Sequence, residues 1–192
     1  MAEKFQPWPY HWPLRSAQAH QMRIKKNVDG TAAPEPLMQA YAATAEHSLL
    51  SRLTGSWQVE GEWYLRPGQP LPLGGTMRNR GILGGHFIES SSFYDGVEKS
   101  RAIYGYDPDE GHFMVFAINA IAARYDIEHG HYDAASDALR FSGVEHVGPQ
   151  RLSVRFERSI TFLPGQGFDL TICYPDFKPE RRLGMALRMR LP

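Results

Sequence analysis

Arg158 lies in the alternating series Leu152, Val154, Phe156, Arg158, Ile160 and Phe162, a cation on an otherwise apolar face. Leaving a guanidinium unpaired in low dielectric costs roughly several kcal/mol, so this face demands an anionic or carbonyl partner for it. By the same parity argument Glu89 goes with Phe87 and Phe93, Tyr104 with Ala102 and Tyr106, His129 with Tyr125 and Ile127, and Asn119 with Phe113 and Val115. If these faces point inward, the ionisable and polar groups line one chamber, with Tyr125, Phe113, Phe156 and Trp63 as ligand-contacting wall. A base, an acid and a cation in an apolar chamber suit proton transfer. In that scheme Glu89 or His129 abstracts or relays a proton, Tyr104 donates to a developing oxyanion, and Arg158 with Asn119 holds a carbonyl or carboxylate. The reaction class is then cofactor-independent isomerisation, cyclisation or elimination. The competing reading is structural, with Arg158 and Glu89 as an internal ion pair.

Other constellations point less far. His129 and His131 share a side of an extended segment, with His86, His112 and His146 as third ligands to consider, but the spacing selects no metal and none is expected. Gly81-Ile82-Leu83-Gly84-Gly85 lacks the lysine and the helix of a phosphate loop and reads as a tight hairpin. Ser90, Ser91 and Ser92 have no nucleophile-elbow context. Cys173 is the single cysteine, which excludes an intrachain disulfide and a multi-cysteine zinc site; as a neighbour of Ile172 it reads as a packed or surface thiol.

Composition sets the outer bounds. The 192 residues fit one domain plus an appendage. Lysine plus arginine equals aspartate plus glutamate at 21 each, so no field of one sign attracts nucleic acid or an anionic bilayer. The Arg-rich final strand, with Arg182, Arg188 and Arg190, reads as a solvated wall. No apolar run is long enough for a signal-peptide core or a membrane span, and a cytoplasmic protein is expected.

The elements that must position these residues change character along the chain. Residues 1–34 interleave Pro7, Pro9, Pro13 and Pro34 with Phe5, Trp8, Tyr10 and Trp12, an extended arm that packs on the outer wall, latches across a barrel mouth or reaches a second subunit. A homodimer through this arm is therefore among the expected partners, beside a small hydrophobic or aromatic ligand. Residues 35–50 repeat Leu37, Tyr41, Ala45 and Leu49 at helical spacing. From 51 to 192 the spacing becomes that of strands and turns, predicting strands near 56–65, 75–83, 86–94, 98–106, 112–119, 123–132, 138–146, 150–162, 167–174 and 182–191. No interval between them holds a crossover helix, which leaves a mainly β, up-and-down antiparallel barrel of 8–10 strands.

The residues Gly55-Ser56-Trp57, Glu60-Gly61-Glu62-Trp63, Arg80 to Glu89, Gly105-Tyr106-Asp107 and Gly130-His131-Tyr132-Asp133 resemble those of a bacterial domain-of-unknown-function family, number fifteen-seventy-nine. The resemblance covers roughly residues 50 to 145. It implies a calycin-like barrel, related to lipocalins and fatty-acid-binding proteins, and brings no established activity. Its Gly-x-Trp opening is similar to the first lipocalin strand, whose tryptophan closes one barrel end. The ligand must be argued from the site. The reading that results is a barrel enclosing a small, largely apolar organic molecule and acting on it by acid–base chemistry, with a non-catalytic carrier or sensor of small hydrophobic ligands as the alternative; the calycin resemblance adds haem held by one histidine as a minor alternative ligand.

Overall fold

The computed structural model describes residues 43–66, 69–120, 124–147 and 152–192. Ten strands alternate in direction: β1 Gly55–Arg66, β2 Gln69–Ile82, β3 Phe87–Tyr94, β4 Val97–Asp107, β5 His112–Asn119, β6 Arg124–Asp133, β7 Ala138–Val147, β8 Leu152–Leu163, β9 Gly167–Cys173 and β10 Leu183–Arg190. Each pairs antiparallel with its sequence neighbours, and β1 pairs with β10 from Gln58↔Arg190 to Trp63↔Met185, closing the barrel. Closure leaves no sheet edge among these strands. The expected mainly β, up-and-down barrel is the observed one.

The largest boundary difference is in β2, which begins at Gln69 rather than near 75. Its first residues pair only with β1, because β3 joins from Thr76↔Phe93 onward. Pro70 and Pro72 can therefore enter a strand, since one flank of this stretch requires no ladder donor. The Gly81–Gly85 hairpin is present as a single helical turn over Leu83–Gly85 in which Leu83, Gly84 and Gly85 all have positive φ, at 50°, 73° and 89°. Two glycines at such positions remove the side-chain clash that left-handed backbone imposes.

Helix α1, Ala45–Ser51, precedes β1 and covers one end of the barrel. Thr44 is its N-cap, and the Thr44 backbone N–H donates to His47 Nδ1 at 3.0 Å, so His47 serves in the third helical position where Glu or Gln usually closes a capping box. The expected arm, 1–34, and the first part of the expected helix lie outside the described residues. Below α1 the barrel is packed solid: Leu50, Leu53, Val59, Phe162, Phe168 and Met189 are each at most 5 % exposed. Trp57 donates its indole N–H to the Leu53 carbonyl at 3.0 Å and meets Phe168 edge-on, with ring centroids 5.2 Å apart. Asn79 donates to the same carbonyl at 2.8 Å. Arg52 fastens the helix end to the β6–β7 hairpin through Asp137, with N–O distances of 2.7 and 2.8 Å. This end of the barrel is a plug, so any enclosed space must lie in the other half.

Candidate functional site

A cavity of about 810 Å³ occupies that other half, walled by side chains from all ten strands. It exists because β3, β4 and β5 turn small residues inward at its level: Ser90, Ser92, Ala102 and Ala117. Its lining is divided. Trp63 on β1, Leu73 and Met77 on β2, Ile172 on β9, and Met185 and Leu187 on β10 make a continuous apolar side. Asn119 on β5, Arg124 and Asp126 on β6, Glu145 on β7 and Arg158 on β8 make a continuous polar side, and Lys99 and Arg101 on β4 and Glu180 and Arg181 in the β9–β10 connection add further charged groups to the lining. An apolar body with a few convergent polar groups is the usual composition of a small-molecule site, and the volume lies within the usual range.

Arg158 forms part of the cavity wall where it meets the packed core. Its Nε and Nη2 donate to Glu128 Oε2 and Oε1 at 2.9 and 2.7 Å, a two-point ion pair. Glu128 is wholly buried, and the Arg158 side chain is 12 % exposed. Burial works against the guanidinium's charge, but the attraction of Glu128 outweighs it, and the net shift is upward. Tyr104, 4 % exposed, is hydrogen-bonded to the Arg158 guanidinium and lies in its field. Burial pushes its phenol up, while Arg158 pulls it down.

Glu128 reaches Arg158 across β7, and Gly143 is the residue of β7 that faces both Glu128 and Phe156 in register. Asp126, two residues before Glu128, points the same way into the cavity. Burial pushes its carboxyl above the ordinary range, with Arg158, Arg124 and His146 pulling it back. Tyr174 is raised in the same way by burial and by Glu145 beside it.

The expected site residues divide cleanly. Arg158, Tyr104, Asn119, Phe156 and Trp63 all line the cavity. Phe113 points inward, but into the packed end against Tyr106, with ring centroids 5.0 Å apart. Three inward placements are corrected. Glu89 lies on the outer wall, 2.6 Å from Arg80 and 3.7 Å from Arg101, because Ile88, Ser90 and Ser92 take the inner positions of β3. His129 and Tyr125 also point outward, because Asp126 and Glu128 hold the inner positions of β6. His129 Nδ1 lies 2.9 Å from His112 Nε2 on that outer face, and Tyr125 is 67 % exposed. The internal partner of Arg158 is thus Glu128, not Glu89.

Parity reasoning missed Glu128, Asp126, Glu145 and Gly143. The signal for Glu128 was present: an inward arginine requires a carboxylate, and β6 supplies one two strands away. Among the described residues no group of three or more His, Cys, Asp or Glu side chains is placed to hold a metal ion. The described cavity wall carries no histidine, so it presents no imidazole to a haem iron. Cys173 is half-buried, its thiol pushed up by burial and by Glu157.

The family described as "Protein of unknown function (DUF1579)" matches residues 42–167. The chain belongs to this family. In DUF1579 terms the match begins just before α1 and ends where β9 starts, so it includes the Arg158–Glu128 pair and leaves out nearly all of β9 and β10, half of the apolar cavity side. No curated protein matches the chain. No described helix is long and apolar enough to cross a membrane.

Proposed function

We propose that this DUF1579 barrel binds one small, largely apolar organic molecule, its body against Trp63, Met77, Met185 and Leu187 and its polar head against Arg158 and Tyr104. The observation that carries this reading is the divided cavity of about 810 Å³, apolar on one side and polar on the other. A space of that size closed off at one end excludes a macromolecule and suits a compound of a few fused or linked rings. A single chain already walls the cavity, so binding needs no residue from a second subunit.

Native mass spectrometry of protein purified from its own host tests this directly: a co-purified organic mass is expected, and it should be lost when Ala117→Phe fills the cavity. Retention of the same mass by a folded Ala117→Phe variant would place the binding elsewhere and end the proposal.

One observation favours chemistry over passive carriage. Asp126 is a cavity-facing carboxyl whose proton is held more tightly than usual, which brings it nearer to the working range of a general acid or base. In this second reading Asp126 takes the place first given to Glu89 or His129, Tyr104 donates to the developing oxyanion, and Arg158 and Asn119 orient the carbonyl, for isomerisation, cyclisation or elimination. Exchange of the acetyl protons of a bound aryl methyl ketone in heavy water, followed by NMR, is the test. Exchange no faster than in buffer, or unchanged in Asp126→Asn, leaves a carrier.

A further inference from the structure

Among the cations that line the cavity, Arg158 has little net charge to offer a ligand, because Glu128 answers it. Arg158 meets the cavity, whereas Glu128, wholly buried, does not contribute to the wall. Glu128 engages Nε and Nη2 of the guanidinium, and Nη1 takes no part in that pair. A guanidinium carries five N–H donors; Glu128 takes two and Tyr104 is hydrogen-bonded to the group as well, so donors remain for the cavity while the charge behind them is already balanced. Asp126 and Glu145 add negative charge near the same wall. Of the other cations in the lining, Arg101 is answered by Glu98, Lys99 lies five residues from Tyr104 along β4, about 16 Å in an extended strand, and Arg181 belongs to the β9–β10 connection beside Glu180. Arg124 is drawn into electrostatic contact with Asp126 and Tyr174. A carboxylate entering here would lose its hydration and find a guanidinium already answered by Glu128. A carbonyl oxygen would gain the same hydrogen bond at a far smaller desolvation cost.

We infer that the ligand's polar head is a neutral oxygen acceptor of the ketone or ester type, with Glu128 as the positioning residue that turns Arg158 from an anion receptor into a carbonyl receptor. This deepens the binding reading above and rests on it. It also narrows the ligand class to uncharged aromatic or alicyclic carbonyl compounds.

Three probes of nearly equal shape test it: methyl naphthyl ketone, naphthoate at a pH well above the carboxylic range, and ethylnaphthalene, each titrated by fluorescence. The wild type should bind the ketone about tenfold more tightly than either of the others. In Glu128→Gln, checked for folding by circular dichroism, the Arg158 charge is no longer answered and the order should reverse in favour of naphthoate by a similar factor. Naphthoate binding the wild type as tightly as the ketone overturns the inference, as does a folded Glu128→Gln that keeps the wild-type order. Equal binding of all three probes leaves the binding reading standing and overturns this inference alone. No binding of any probe overturns both. Should Glu128→Gln not fold, the wild-type order decides by itself.

Discussion

Gly143 faces Glu128 across the β6–β7 ladder, and a Cβ on Gly143 would lie 3.1 Å from Glu128 Cγ and 2.8 Å from Phe156 Cζ. The bare backbone at this point makes the gap through which the Arg158–Glu128 pair spans β7. Gly143→Ala should therefore destabilise. Overpacking here costs about 1–3 kcal/mol, against a gain of about 0.5–1 kcal/mol from replacing a strand-interior glycine. A lowered urea midpoint with an unchanged denaturant slope is the expected result.

Removing one half of the ion pair should cost more than removing both. Glu128→Leu leaves Arg158 buried and unpaired, a loss of about 3–5 kcal/mol. The double variant Glu128→Leu/Arg158→Met should recover most of that loss, because two desolvated charges are exchanged for apolar contact. A double-mutant cycle by urea denaturation measures the coupling. A coupling within the range of exposed pairs, at most about 1 kcal/mol, would contradict a functional barrel interior of low dielectric.

His47 connects the stability of α1 to pH. Burial, then the neighbouring His86, holds its imidazole below the ordinary value, with Glu46 acting the other way. Its Nδ1 accepts the Thr44 N–H, a bond that protonation removes. The folded state thus binds this proton more weakly than the unfolded chain. The contribution is fully present above the unfolded value, near pH 6.5, and is lost as pH falls toward the lower folded value. His47→Gln keeps an acceptor for the cap, and its melting temperature should vary less between about pH 5 and 7 than that of the wild type.

Asp126 should show the opposite sign. Its raised carboxyl means that the folded state holds the proton more tightly, so ionisation on raising the pH through and above the ordinary aspartate range costs stability. Asp126→Asn should melt higher than the wild type near neutral pH, with the difference shrinking toward about pH 3. Thermal melts across that window are the measurement.

Trp57→Ala strikes the plug rather than the cavity. The loss of a 6 % exposed indole, its bond to Leu53 and its contact with Phe168 should cost about 3–5 kcal/mol. Ligand affinity measured well below the melting temperature should change little, since Trp57 does not line the cavity.

Alternation was enough to read the strands and their up-and-down order, because period-two patterning and turn residues are local properties. It also identified Arg158, Tyr104, Asn119, Phe156 and Trp63 as sharing faces that belong inside. It misled at Glu89 and His129 for one reason. Both strands carry their bulky apolar residues, Phe87 and Phe93 or Tyr125 and Ile127, on the outer wall. A hollow barrel needs small or polar side chains inside, and Ser90, Ser92, Asp126 and Glu128 meet that need.

The sequence by itself thus determined the up-and-down barrel and which residues of each strand share a side. Only the tertiary structure decided which side is the interior, and that Glu128, thirty positions before Arg158, is the carboxylate beside it. The physical reason is that parity is a property of one strand, whereas the sign of that parity depends on what neighbouring strands leave empty. Pairing two charges across β7 requires the barrel to close and Gly143 to make way, and neither condition is visible in any single stretch of residues.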